Sequence, residues 1–313
     1  MHRVSTVLDD LVPLEPAVRG PALTRALLVP RTLKLYDLAL TEPSEADHEA
    51  WVHDVRVASR RFTEAVEMAR PLLPPSDVDK VIRRARKIRR RLGRARELDV
   101  VFRDFTNLAL QVGLPDFTLE RIRDIVEGQR MEAASRADDA LPDKKLEKQR
   151  AKALALAEVN QQPKLPFRDL AANHLARRAQ EADDLLGSME DASRSADHHD
   201  LRIRFKRMRY AVELADELLA LESDPKEILQ HAKRLQDALG ILNDGHDLVD
   251  FMRRPEVMQI LGRFEQPLED EARRIVRRRY KTALHLVSDR GARVVGEVRR
   301  AAGLIGRFQP AVS

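Results

Sequence analysis

The sequence predicts an all-α protein made of two helical halves of similar design, and three observations carry that prediction. Charged residues make up 34% of the 313 and aromatics only 4%, a mixture whose unbranched side chains lose little rotamer freedom in helices. Apolar residues recur at three- and four-residue spacing over long stretches, while strand signals are lacking. One phrase, a histidine followed by arginines on a helical face, occurs twice.

The N-terminal stretch, residues 1–20, reads as an extension. Its opening, MHRVSTVLDDLVPLEP, lacks the apolar segment of a secretory signal, and no run approaches a membrane span. There are no cysteines, so disulfides and thiolate metal sites are excluded. The expectation is a soluble, cytoplasmic protein.

Helix boundaries follow from proline and polar clusters. PSEADHEA (43–50) reads as a helix start, with Ser44 as N-cap and Asp47 three residues on. PPSDVDK after Pro74 opens another, with Ser76 or Asp77 as cap. VGLPDFTLE, ALPDKKLE, SMEDASRSAD and LESDPKE are further breaks. VNQQPKLPF (159–167) is the most loop-like stretch and divides the chain into a first bundle over about 21–158 and a second over about 166–313.

The halves repeat one another. His53, Arg56, Arg60 and Arg61 align with His199, Arg202, Lys206 and Arg207 at an offset of 146, and Leu92-Gly93 with Leu239-Gly240 at 147. So long a period does not suit a solenoid. It suggests duplication, giving two four-helix bundles related by approximate two-fold symmetry. The apolar stripes agree. Val55, Phe62, Val66, Ala69 and Leu73, interrupted by Ser59, match Leu201, Phe205, Met208, Val212, Ala215 and Leu219. Val81, Ala85, Ile88, Leu92 and Ala95 match Ile228, Ala232, Leu235, Leu239 and Leu242.

Opposite each first stripe lies a cationic face. At 100° per residue, His53, Arg56 and Arg60 fall within about 60° of one another, and His199, Arg202, Lys206 and Arg209 do the same. A solvated surface helix normally mixes signs through i,i+4 pairs, but these faces stay cationic for two turns. The following helices carry Arg86, Arg89, Gly93 and Arg96, matched by Lys233, Gln236, Gly240 and Asn243. A mid-helix glycine costs about 1 kcal/mol relative to alanine, so its recurrence implies close approach, either of a ligand or of a neighbouring helix. Arg91 and Arg94 read as ordinary surface.

The net charge is +5, but nine of the fourteen residues at 83–96 are basic and none is acidic. Such a field points to a polyanion: nucleic acid, anionic lipid or polyphosphate. No phosphate-binding glycine loop, dinucleotide fingerprint or H-E-x-x-H is present. His198 and His199 diverge on a helix. His53 and His199 could converge across a two-fold axis but would need further ligands, so metal binding is the weaker reading. No acidic cluster suited to Mg²⁺ stands out, and neither catalysis nor a cofactor is expected.

In combination, VHDVRVASRRF with LGRARELDV, and HHDLRIRFKRMRY with AKRLQDALGILND, resemble the CHAD domain, the conserved-histidine α-helical domain. The similarity runs from about residue 21 to the C-terminus. It implies two pseudo-symmetric four-helix bundles around a basic groove or pore. It also implies non-catalytic binding of inorganic polyphosphate, with recruitment to polyphosphate granules. Carried over to this chain, the binding residues are His53, Arg56, Arg60, Arg61 and Arg86, then His199, Arg202, Lys206, Arg207, Arg209 and Lys233. Arg89 joins them from the stripe argument. The halves differ where Thr63 stands against Arg209, and where Gly245-His246 replaces Leu98-Asp99. The E-x-E-x-K mark of the triphosphatase domains fused to some relatives is missing, so a stand-alone domain is expected. Few aromatics are available for base stacking, which leaves nucleic acid as the second candidate.

Overall fold

The computed structural model describes residues 18–41, 43–44, 47–140, 142–219 and 225–307. Helices account for nearly all of it, and no strand occurs among the described residues. In order they are α1 (Pro21–Ala39), α2 (His48–Ala69), α3 (Pro75–Val112), α4 (Asp116–Ala140) and α5 (Asp143–Ala157), then α6 (Phe167–Asp183), α7 (Ser195–Leu219), α8 (Lys226–Met252), α9 (Pro255–Leu261) and α10 (Glu265–Arg307). The chain is all-α, as its composition and periodicity predict.

Proline sets most helix starts. Pro21, Pro75 and Pro255 occupy first-turn positions, and Pro142, Pro166 and Pro225 sit just ahead of α5, α6 and α8, where a missing N–H costs no intrahelical bond. Two expected caps differ from the structure. Ser44 Oγ accepts the Asp47 N–H at 3.3 Å, but regular helix begins only at His48, so the pair closes a turn ahead of α2. Ser76 and Asp77 lie inside α3, because Pro75 already starts it. Asp77 there complements the positive end of the helix dipole. The predicted break at VGLPDFTLE is made by Gly113, whose φ of 74° is the left-handed conformation that ends α3. A break that the sequence reading lacks falls at Pro255 and Gly262, around the short α9.

The predicted stripes are the core. Val55, Phe62, Val66, Ala69 and Leu73 are buried, as are Leu201, Phe205, Met208, Val212 and Ala215. Leu92, Leu219 and Ile228 are partly buried, and the Ala95 side chain lies outside the described residues. Ser59, which interrupts the first stripe, is fully buried and donates to the Ala85 carbonyl of α3 at 2.9 Å. One cluster joins α1, α2, the first half of α3 and α5 to the start of α6 and the end of α7, and another joins α6, α7, α8 and α10. A third also draws on both halves. It packs Leu98, Phe105 and Ile122 against Phe251, Leu261 and Leu268. The reach it needs comes from the length of α3 and α10, at 38 and 43 residues.

α2 and α7 meet at the centre, where the halves touch. Charged pins hold the junction. Arg31 of α1 reaches Glu217 of α7 at 2.8 Å. Arg61 and Arg209 share Glu213, at 3.2 and 3.1 Å. Glu64 of α2 is buried and accepts hydrogen bonds from Arg178 Nε at 2.6 Å and Nη2 at 3.2 Å; its Oε1 also lies 2.6 Å from His174 Nε2. Burial alone would raise the Glu64 carboxyl, but these hydrogen bonds and the Arg178 charge hold it below the usual carboxylate range. Removing one partner of a buried pair strands the other. Glu64→Ala is therefore expected to lower unfolding free energy by about 3–5 kcal/mol in denaturant melts; a loss under about 1 kcal/mol would contradict this anchoring role.

Candidate functional site

Where α2 and α7 meet, their cationic faces turn towards one another and, with α3 and α8, enclose an open cavity of about 900 Å³. Eight of the twelve sequence-predicted residues line it: Arg56 and Arg60 from α2, Arg86 and Arg89 from α3, and His199, Arg202, Lys206 and Arg207 from α7. The other four stand outside. His53 is exposed near the start of α2. Arg61 and Arg209 spend their charge on Glu213, and Arg209 also lies over the Tyr210 ring at 4.8 Å. Lys233 pairs with Asp237 one turn along α8, at 2.7 Å. Thr63, the counterpart of Arg209, faces the cavity and donates to the Ser59 carbonyl at 2.7 Å.

The recurring glycine has a specific reason. A Cβ at Gly93 would overlap the Arg56 guanidinium at Nη1, and one at Gly240 would lie 3.2 Å from Arg202 Nε and Nη2. Each α2-type arginine therefore lies across the glycine of the next helix, and the missing side chain is the space it occupies. The close approach foreseen from sequence is made by a side chain of the protein. Gly245, where the second motif departs from the first, has a different role. α10 crosses there, placing Val276 and Arg279 within 3.1–3.4 Å of a would-be Cβ.

The cavity is crowded with like charge. Eleven basic residues line it against five acidic ones, and the acidic Glu64 is already engaged by Arg178. Burial, reinforced by neighbouring cations, lowers the pKa values of Arg56 and Arg207. Burial also lowers Arg202, with Asp244 opposing the shift. Arg89 falls to about 10, through burial and then Arg60 and Arg86. Lys206 is pushed furthest, to about 7, by burial and then Arg202, Arg60 and Arg56. Each shift has the same meaning: the charged form lacks compensation. A multivalent anion entering here would supply it.

Several lining residues escaped the sequence reading. Arg94 is exposed, as expected, but also lines the cavity, and so do Arg103 and Arg254. Arg96, on the α3 line read from the sequence, lines it too while pairing with Glu49 at 2.9 Å. A helical wheel of α3 alone puts Arg94 off the stripe, and only the position of its neighbours shows what it faces. Arg254 follows α8 in the unforeseen break. Glu97, Asp244, Asp247 and Asp250 form an acidic edge on α3 and α8, where burial raises Asp244 and Asp247 above the usual carboxylate range. His199 Nδ1–H donates to Asn243 Oδ1 at 3.1 Å, which directs the imidazole on α7 towards α8. Among the described residues, the group of His and carboxylate side chains within ligand reach is Glu227, His231 and Glu297 on α8 and α10, away from the cavity. There Arg293 already binds both carboxylates at 2.8 Å.

The fold and cavity define a helical protein with a strongly basic cavity at the junction of its halves. The CHAD domain family model matches residues 34–253, and the chain belongs to the CHAD domain family, one related to polyphosphate binding or metabolism. Among solved structures it is similar to PptA from Streptomyces chartreusis, at 16% identity and a TM-score of 0.67, with 87% of this chain and 100% of that one covered. It is also similar to the CHAD domain from the plant Ricinus communis, at 20% identity and a TM-score of 0.56, with 95% of each chain covered. No curated protein matches it in sequence. No helix among the described residues is long and apolar enough to cross a membrane.

The cavity electrostatics can be checked directly. The Lys206 ammonium should titrate with a midpoint of about 7 by NMR, and Arg202→Gln should raise that midpoint because it removes a repelling charge. A midpoint in the ordinary lysine range would contradict the burial and crowding described.

Proposed function

We propose that this chain is a non-catalytic binder of inorganic polyphosphate, held in the central cavity and serving to place the protein on polyphosphate granules in the cytoplasm. The observation that carries the reading is the concentration of basic side chains from α2, α3 and α7, most of them half-buried, around one cavity in which they outnumber the carboxylates. Arg56, Arg60, Arg86, Arg89, Arg202, Lys206 and Arg207 supply the inner contacts, with His199 at the α8 side. His53, Arg61, Arg209 and Lys233 extend the field outside it.

The chemistry suits a chain of phosphates. Guanidinium groups bind phosphate oxygens in bidentate fashion, and each contact releases condensed counterions from the polymer. Binding also relieves the repulsion among the cations of the cavity. Nucleic acid is less well matched. Apart from the His199 imidazole, Tyr210 supplies the aromatic surface of the cavity, too little to stack successive bases. Relatives with this domain are commonly non-catalytic.

Binding should depend on pH with a definite sign. Lys206 binds a polyanion only when protonated, and its pKa in the free protein is about 7. The Lys206 contribution should therefore be full below that value and fall as pH rises through it. Protonation of Asp244 and Asp247 at lower pH acts in the same direction, by removing negative charge from the cavity.

Titration calorimetry with polyphosphate tests the reading. Arg56→Gln and Arg202→Gln should each weaken binding about tenfold or more, because a charge-assisted contact contributes about 1.5–3 kcal/mol. Helicity should stay intact. Unchanged affinity in the double variant, or tighter binding of DNA at matched phosphate and salt, would count against polyphosphate. Release of orthophosphate by the pure protein would overturn the non-catalytic assignment.

A further inference from the structure

A second cavity, of about 450 Å³, lies between α3 and α4. It is lined by Arg90, Arg91 and Arg94 from α3 and by Gln129 and Glu132 from α4. Two side chains join it to the central cavity. Arg94 lines both. Arg254, a wall residue of the central cavity, donates from Nη1 to Gln129 Oε1 at 3.1 Å. Gln129 is fixed in turn by donating from Nε2 to Glu256 at 3.2 Å. The two arginines are close enough that Arg94 lowers the pKa of Arg254, after burial. Basic side chains thus run without a break from the central cavity, over this threshold, to Arg90.

The α8 side of the central cavity is built the opposite way. Asp244, Asp247 and Asp250 stand there, and carboxylates oppose a polyanion leaving in that direction. The way over Arg94 carries arginine on both sides of the threshold, against Asp250 and Glu256 near Arg254 and Glu132 lining the outer cleft.

We infer that the α3/α4 cleft is a second phosphate subsite, which takes the part of a long polyphosphate chain that emerges from the central cavity past Arg94 and Arg254. The inference rests on the central cavity being the polyphosphate site. A linear polymer already held at one site meets the second at high effective concentration, so modest contacts there add affinity. A chain too short to cross the threshold gains nothing from them. Affinity is therefore set by the central cavity for short chains, and by both cavities for long ones.

Calorimetry on the full chain with two probes, tripolyphosphate and long-chain polyphosphate, tests this. Arg90→Gln combined with Arg91→Gln should weaken long-chain binding about tenfold and lower its salt slope by about one and a half units, as expected for two lost phosphate contacts. Tripolyphosphate binding should stay within twofold of the unsubstituted protein. Glu132→Gln provides a variant of opposite sign, and should tighten long-chain binding alone. Long-chain affinity unchanged in both variants would overturn the second subsite, as would equal changes for the two probes. Failure of the unsubstituted protein to bind either probe would instead remove the reading of the central cavity.

Discussion

An arginine lying across a glycine of the neighbouring helix is the contact on which the cavity depends. Arg56 over Gly93 and Arg202 over Gly240 use the space that any side chain would fill. The glycines cost their helices about 1 kcal/mol each, and what is gained is position. The guanidinium groups are held inward, half-buried, against the neighbouring helix. Once both are aimed there, Arg60 of α2 and Lys206 of α7, each one turn further on, fall along the same wall by helical spacing alone.

Such a cavity opposes the stability of the protein that holds it. Half-buried cations crowded together repel one another and lose solvation, and the depressed pKa values of Lys206 and Arg89 register that cost. The fold offsets it elsewhere. Three apolar clusters surround the junction, and Glu64 is buried beside the cavity wall with its charge matched by Arg178. Arg61 and Arg209 converge on Glu213 outside the cavity, fastening α2 to α7. Paired charges thus hold the junction, while inside the cavity basic groups outnumber the carboxylates.

Much of this was legible in the sequence because helical periodicity is local. The all-α class, the core stripes and the inward faces at Arg56, Arg60, Arg202 and Lys206 follow from counting residues along a single helix. What required tertiary placement was not legible. Arg94 lies off the α3 stripe, and α4 beside it defines the outer cleft. Arg254 follows the end of α8, where no periodic pattern applies. Arg61 and Arg209 resemble their neighbours in sequence, but Glu213, reached across the helix pair, takes up their charge. The third apolar cluster, which spans both halves, depends on the length of α3 and α10 rather than on any motif. The glycines marked a close approach without revealing what approached.

The most direct test of this account fills the spaces beneath the two arginines. Tripolyphosphate affinity would be measured by calorimetry for a Gly93→Ala, Gly240→Ala double variant, with helicity and melting temperature followed in parallel. The account predicts a folded protein, since alanine favours helix, whose affinity falls about tenfold or more because the Arg56 and Arg202 guanidinium groups are displaced. Unchanged affinity in a folded variant would contradict it, because the arginine-over-glycine contact would then not position the binding groups.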